Sequence, residues 1–446
     1  MEIKDILPML ITSTIGVFVG IFWKKIFHFP KWLVIYIHNK HMKMYNRTIF
    51  SEKFLLWQNI ILEKYYGREY FTYVFNEYYP VNIFNGVNYT YPFDYLLEKN
   101  ELELNKNIDN YKKVKYYKKY KRLLQPKHLS IDYHRIKRPE MQGYMLNELK
   151  FDENLNVTHL NAWVGRYVEN VYTSHILEYE NYILYCKYGK KNIELKNIFN
   201  KVKSKMDIRN MIHKDKNIYD VLKSGCNRAS LLGVQLIVVI KDHEDHQYKI
   251  LTIKRSDNVA ARPGFFQFIP SGGFEIYGDE GKCKKYELIE NFSVAHAVFR
   301  EYIEEIYGNE DFESGKDGGI INDVRNNEKI DKIIKMIEIE KTAHFEFLGS
   351  IVGLVDLRNE LSFVLIIKDE NYSKEKFKPN FEGDKKRIDR HSILEIEKRI
   401  DTKKLNPSSA ALYKLLTNNH LYKEILLESK SKIYTNKAAT TSHNKR

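Results

Sequence analysis

The sequence predicts an α/β protein with three parts: an N-terminal transmembrane helix, a mixed middle region and a C-terminal domain of alternating strands and helices. A long apolar run near the N-terminus predicts the membrane helix, because about 20 apolar residues cross a bilayer. Runs rich in valine, leucine and isoleucine predict strands at 231–241, 249–255, 345–355 and 361–368. Helical patterns at 294–308, 330–340 and 408–416 separate and follow these strands.

The length, net charge and cysteine content of the chain limit its number of domains, its partners and its compartment. The chain has 446 residues, which is enough for two or three domains. Its net charge of +14 favours anionic partners such as nucleotides, nucleic acid or acidic lipid. The cysteines Cys186, Cys226 and Cys283 form neither a disulfide framework nor a zinc-type pair, so we expect a reducing compartment.

Residues 6–23 form an uncharged, mostly apolar run close to the minimum length of a spanning helix. Lys24 and Lys25 follow at once, and positive charge favours the cytoplasmic side. This predicts a single-pass protein of the cell inner membrane with its C-terminal domain in the cytoplasm. A cleaved signal peptide is the alternative, and it fits less well because no small-residue cleavage site precedes the lysines.

A stripe of small residues marks the predicted membrane helix. Gly16 and Gly20 lie one turn apart, and Thr12 extends the stripe by another turn. Such stripes let spanning helices approach closely, so we expect a homo-oligomer. Glycine is also common in spanning helices that do not pair, which is the alternative interpretation.

The middle region, 24–225, contains no recognisable motif, and its role is unknown. Its periodicity predicts a helix at 54–66, short strands or loops at 70–95 and an amphipathic helix at 163–185. The stretch 111–122 interleaves tyrosines with lysines. A solvated helix face explains that pattern, and binding of nucleic acid or anionic lipid are the alternatives.

Three carboxylates share one face of the helix predicted at 294–308. Glu301, Glu304 and Glu305 stand at i, i+3 and i+4, where like charges repel by roughly 0.2–0.5 kcal/mol per pair. A face that keeps all three predicts a cation site, and hard oxygen ligands favour Mg²⁺ or Mn²⁺. The alternative is a solvated acidic face. A Gly-Gly turn at 269–275 and an apolar opposite helix face favour the cation site.

These residues resemble the signature of the Nudix hydrolases. Gly273 matches the opening glycine of the Nudix box, and 300–305 matches its Arg-Glu-apolar-x-Glu-Glu core. Two departures are an insert around 281–292 and a closing glycine, Gly308, that comes one residue late. The resemblance covers 226–426 and implies a Nudix-like α/β/α sandwich there, followed by a flexible basic tail at 427–446.

The resemblance also implies a metal-dependent pyrophosphohydrolase site. Glu301, Glu304 and Glu305 are the expected Mg²⁺ or Mn²⁺ ligands and, with Arg300, the catalytic residues. In this family Arg300 is an orienting ion-pair partner, and the Gly273 carbonyl often supplies a further ligand.

Three residues outside the box are further candidates. Glu382 lies in a later loop and is a candidate metal ligand, although a surface loop acid explains it equally well. Arg255 and Arg262 flank the loop before the Gly-Gly turn and are candidate substrate-binding residues for phosphate groups. Each is also explained as an ordinary surface arginine.

The sequence is compatible with three functions from different classes. The first is a membrane-anchored Nudix-like hydrolase of a nucleoside diphosphate or other nucleotide derivative. Its architecture resembles membrane effectors of bacterial anti-phage systems, in which a cyclic-oligonucleotide signal comes from a partner cyclase. The second is a non-catalytic nucleotide-sensing module that drives membrane effector assembly, favoured by the altered box spacing. The third is a structural membrane scaffold.

Overall fold

The computed structural model shows an α/β protein. It describes residues 40, 44–104, 142–189, 195–256, 264–276, 285–308, 324, 326–378 and 387–443. Within these ranges no helix combines the length and the apolar character needed to span a bilayer. The membrane helix expected at 6–23 and the basic stretch at 111–122 lie outside the described residues.

After a helical stretch at 44–49, the middle region continues with a longer helix and three short strands. These are α1 (Glu52–Tyr66), β1 (Thr72–Val74), β2 (Glu77–Tyr79) and β3 (Val81–Asn85). Ser51 caps α1 by accepting a hydrogen bond from the Phe54 amide. The helix expected at 54–66 and the short strands expected at 70–95 are both confirmed.

A long hairpin and a run of short helices complete the middle region. Their bounds are β4 (Gln142–Phe151), β5 (Val157–Arg166), α2 (Tyr167–Asn170), α3 (Ile176–Leu184), α4 (Leu195–Lys203), α5 (Asp207–Ile212) and α6 (Ile218–Leu222). The helix expected at 163–185 is present from Tyr167 onward, with π-helical turns at Val171–His175 and Tyr185–Gly189, but its predicted start was wrong. Trp163 pairs with Met145 across the hairpin, and the chain becomes helical only after Arg166, whose backbone amide bonds to Glu169.

The C-terminal part contains the remaining strands and helices. The strands are β6 (Leu232–Lys241), β7 (Tyr248–Lys254), β8 (Phe266–Phe268), β9 (Ser271–Gly273), β10 (Ala343–Gly353), β11 (Asn359–Ile367) and β12 (Asp389–Ser392). The helices are α7 (Lys285–Glu290), α8 (Val294–Tyr307), α9 (Glu328–Glu338), α10 (Ile396–Arg399), α11 (Pro407–Asn418) and α12 (His420–His443). The strands and helices that the sequence predicts in this part are therefore present.

The chain beyond residue 427 differs from the expected flexible tail. It continues α12, which is helical to His443. The Glu428 carboxylate accepts hydrogen bonds from Lys241 and from the Tyr248 hydroxyl, both at 2.9 Å. These two bonds hold the helix against the sheet.

Eight strands form one sheet in the order β12-β7-β6-β11-β10-β3, with β8 paired to β7 and β9 to β6. The β6–β11 pair is parallel, and the other pairs are antiparallel. The edge strand β3 comes from the middle region and pairs with β10. The expected boundary at Cys226 therefore does not separate two sheets.

Helices cover both faces of this sheet. Successive residues of β6 alternate between two hydrophobic cores: Leu236 and Val238 face one, while Ile237 and Val239 face the other. The first core contains the buried face of α8, and the second contains α11 and the start of α12. The sheet is thus the middle layer between helices, and α8 lies on the same side as α1.

A buried arginine joins the middle region to the sheet. Arg209 of α5 donates hydrogen bonds to the Leu354 carbonyl at 2.7 Å and the Val355 carbonyl at 2.6 Å, just beyond β10. It also donates to the Tyr66 hydroxyl, which lies 3.1 Å from His213 Nε2. Burial, followed by the charges of Arg209 and Arg228, lowers the pKa of His213 to about 3.

We expect His213 to lower the free energy of unfolding as the pH falls. Its pKa is about 3 in the folded protein against 6.5 in its ordinary state, so the unfolded chain binds a proton first as pH falls below 6.5. Between pH 7.5 and 5 this removes about 2 kcal/mol of stability. Urea unfolding at both pH values checks it: the stability difference between His213→Gln and wild type should change by this amount. A difference that is constant with pH would contradict the prediction.

Candidate functional site

The helix that carries the carboxylates, α8, is capped at both ends. The Ser293 hydroxyl accepts a hydrogen bond from the His296 amide at its start. Gly308 ends the helix in the left-handed conformation, with φ of 64°, which glycine adopts without strain. The apolar face packs on the sheet through Phe299, whose ring contacts those of Tyr91 and Phe345. The late glycine is thus compatible with a normal helix end.

Strand β9 brings the Gly-Gly turn against the carboxylates. It is held by pairing with β6, in which Gly272 lies opposite Val234. A methyl group added at Gly272 would lie 2.0 Å from the Glu301 carboxyl carbon, which is far inside van der Waals contact. Only glycine at this position therefore leaves room for the Glu301 carboxylate where it stands.

Arg300 connects the helix to the turn. Its side chain is only 1% exposed, and it donates hydrogen bonds to the Gly273 carbonyl at 2.9 Å and to Glu301 Oε1 at 2.5 Å. A second guanidinium nitrogen lies 3.6 Å from Glu304 Oε1. This arrangement agrees with an orienting ion-pair role. The Gly273 carbonyl retains a second lone pair, so the bond from Arg300 does not remove it as a ligand.

A chain of hydrogen bonds leads from Arg255 to the acidic face. Arg255 donates to Gln267 Oε1 at 2.7 Å, and the Gln267 amide donates to the Ser271 hydroxyl at 2.6 Å. The Ser271 backbone amide then donates to Glu305 Oε2 at 3.3 Å. Arg255 is therefore connected to the box helix through two residues that sequence reasoning did not select. The signal for Gln267 was a polar residue between two phenylalanines in a strand.

Arg358 is a further residue that the sequence analysis missed. Its guanidinium donates to the Gly272 carbonyl at 3.2 Å, although 86 positions separate the two residues. It lies 3.8 Å from Glu360 on β11. Burial raises the pKa of Glu360, and the charge of Arg358 opposes that rise. No local pattern marks Arg358, because only the pairing of β6 with β9 and β11 brings it to the turn.

The charge of the box face suits a divalent cation. Glu301, Glu304 and Glu305 are only 7%, 9% and 4% exposed, and with Arg300 these four groups carry a formal charge of −2. Buried charge of one sign is costly, and hard carboxylate oxygens are the ligands that Mg²⁺ and Mn²⁺ prefer. Among the described residues, however, no group of three or more His, Cys, Asp or Glu side chains is already arranged to hold a metal ion.

Several candidate residues fall outside the described part of the chain. They are Glu382, the candidate ligand in the later loop, Arg262, and the first part, 281–284, of the insert around 281–292. The assignment of metal ligands and substrate contacts stays a prediction. What the structure brings together is Arg300, the three glutamates and the turn at 271–273.

No family model matches the chain, and no curated protein matches its sequence. Among solved structures, it is similar to the crystal structure of a NUDIX hydrolase from Alicyclobacillus acidocaldarius, with 13% identity and a TM-score of 0.24. The alignment covers 42% of this chain and 90% of that chain. A TM-score this low does not establish a shared fold, and the family of the chain stays a proposal.

Proposed function

We propose that this protein is a Nudix-type hydrolase that cleaves a pyrophosphate bond in a nucleotide derivative with Mg²⁺ or Mn²⁺. The observation that carries the proposal is the buried acidic face of α8, which is held against the Gly-Gly turn by Arg300. Buried carboxylates of like charge are costly, so their packing in one place calls for a function. A sheet with helices on both faces holds the turn and the helix rigidly.

Each residue of the acidic face and the turn has a separate role in the proposed reaction. Glu301, Glu304 and Glu305 would hold the cation, and Arg300 orients Glu301 while it fixes the Gly273 carbonyl. When bound, a divalent ion neutralises phosphate oxygens and lowers the pKa of a coordinated water molecule. Ser271 keeps Glu305 in place through its backbone amide. Arg255 stabilises the turn through Gln267 and is a candidate contact for phosphate groups.

The cellular setting is part of the proposal. We infer from residues 6–23 a single-pass anchor in the inner membrane, with the catalytic domain in the cytoplasm and self-association through Gly16 and Gly20. An anti-phage effector role fits this architecture, with activation by a nucleotide second messenger such as a cyclic oligonucleotide from a partner cyclase.

A non-catalytic nucleotide sensor is the second candidate. The observation that favours it is the insert around 281–292, which alters the spacing between the turn and the box helix. A sensor would bind its ligand at the same acidic face without turnover. The same nucleotides would then stabilise the protein but remain intact.

The test uses the full-length chain in a non-ionic detergent and a panel of nucleoside diphosphate derivatives. We expect phosphate-bond cleavage in Mg²⁺ or Mn²⁺ and none in metal-free buffer, because the buried carboxylates repel an anionic substrate until a cation is bound. Product analysis by chromatography checks this. Ligand-dependent thermal stabilisation without any product would favour the sensor. The absence of both stabilisation and product across the whole panel would refute both functions.

A further inference from the structure

A shallow pocket beside the C-terminal end of α8 carries a charge opposite to that of the acidic face. It has a volume of about 400 Å³ and lies among the end of α8, the start of α9 and the segment that follows β11. This volume falls in the range of small-molecule sites, about 300–1,000 Å³. The described residues that line it are Tyr307, Lys329, Asn371, Lys374, Glu375 and Lys376.

The positive charge of the pocket exceeds its negative charge. Glu375, the one carboxylate among the described lining residues, is already matched by Lys329 at 2.8 Å and by the neighbouring Lys332 at 2.7 Å. Hydrogen bonds from these two lysines lower the pKa of Glu375. Lys374 and Lys376 remain as additional positive charge on the wall. Among the described residues, Lys374 donates to the neutral Asn371 side chain alone, at 2.9 Å.

The backbone behind these lysines is held in place. Arg390 of β12 donates hydrogen bonds to the Ser373 carbonyl at 2.7 Å and to the Glu375 carbonyl at 3.3 Å. On the other side, the Tyr372 hydroxyl lies 2.6 Å from that of Tyr302 and 3.0 Å from that of Tyr307, both on α8. The lysine wall is thus fixed to the sheet and to the box helix, which reduces the entropy lost when a ligand binds.

We propose that this lysine pocket binds a phosphate-bearing anion without a metal ion. Lysine ammonium groups act as mobile point charges, which suit the several charged oxygens of a di- or triphosphate. The described lining contains no arginine, so an anion would be held here by ammonium point charges and not by a bidentate guanidinium. The pocket is independent of the acidic face of α8, so it extends the proposed function and does not rest on it.

The experiment measures binding of inorganic pyrophosphate and of ADP by calorimetry. The full-length chain is kept in non-ionic detergent and in buffer freed of metal by a chelating resin, because a soluble polyanionic chelator would compete for the lysines. We expect both ligands to bind wild type, and the Lys374→Ala, Lys376→Ala double variant to bind at least about tenfold more weakly. Both lysines are exposed, so the double variant should fold normally. If ADP binds more tightly than pyrophosphate, the ligand is a nucleotide. If pyrophosphate binds more tightly than ADP, the ligand is an inorganic phosphate chain.

The matched control is Lys214→Ala with Lys216→Ala, which removes two exposed lysines from a turn far along the chain from the pocket. The affinity of this control variant for both ligands should stay within about twofold of the wild-type affinity, because the variant loses only positive charge outside the pocket. Equal weakening by both double variants would overturn the proposal, as would failure of either ligand to bind wild type. Binding that the Lys374→Ala, Lys376→Ala variant retains at wild-type strength would place the anion elsewhere on the protein and overturn it too. Absence of hydrolysis in the separate Mg²⁺ assay, with this metal-free binding intact, would refute only the proposed function.

Discussion

Replacing Glu304 with Gln is expected to lower Mg²⁺-dependent hydrolysis by about 100-fold to 1,000-fold in the full-length chain. The amide has the shape of the carboxylate, but it reduces the formal charge of the four-group cluster from −2 to −1. With less negative charge the cluster holds a divalent ion weakly, and the rate should fall at every substrate concentration. Initial rates over a range of Mg²⁺ concentrations measure the effect.

Stability separates this effect from damage to the fold. Because like charges crowd the face in the metal-free protein, Glu304→Gln should not lower its thermal stability, while the rise in Tm on adding Mg²⁺ should shrink. The control is Glu338→Gln, which removes an exposed carboxylate near the end of α9 and should leave rate and metal response unchanged. If Glu304→Gln retains the wild-type metal response, the site assignment is wrong.

Gly272→Ala is expected to lower hydrolysis by about 10-fold to 100-fold without contact between the new methyl group and any substrate. The added carbon would lie 2.0 Å from the Glu301 carboxyl carbon, so this carboxylate must move. Its bond to Arg300 would be disturbed, and with it the orientation of the acidic face. Initial rates under saturating Mg²⁺ check the expectation.

A double-mutant cycle shows whether the methyl group acts through Glu301. In a Glu301→Gln background the rate is already low, and we expect Gly272→Ala to add little further loss, because both changes disable the same group. Losses that multiply in the double variant would mean that the turn affects catalysis by another route. Circular dichroism and thermal unfolding of each variant confirm that the sheet is intact.

Local pattern predicts much of the secondary structure. A run of β-branched residues predicts β6, and the i, i+3, i+4 spacing of the glutamates predicts that all three share one face of α8, where they are buried. The start of the helix expected from residue 163 was wrong, because Trp163 belongs to a hairpin whose pairing outweighs local helical periodicity. Helical periodicity alone does not reveal that Trp163 pairs with a neighbouring strand.

The surroundings of the acidic face could not be predicted for the same reason. Arg358 reaches the Gly272 carbonyl from 86 positions away, and Gln267 connects Arg255 to Ser271 only once β8 and β9 are formed. The lysine pocket likewise combines the end of α8 with residues 371–376. Each depends on long-range strand order, whereas the glutamates share a face through helix geometry alone.

The edge strand β3 constrains the order in which this protein can fold during its synthesis on the ribosome. Asn85 pairs with Gly349, a residue synthesised 264 positions later. At a translation rate of about 5–20 residues per second, β3 waits roughly 10–50 s before its partner strand emerges. During that interval Val81–Asn85 presents an unpaired edge to other nascent chains. The brevity of this strand reduces the risk of wrong pairing, and a chaperone that covers it until β10 arrives would raise the yield of correctly folded protein.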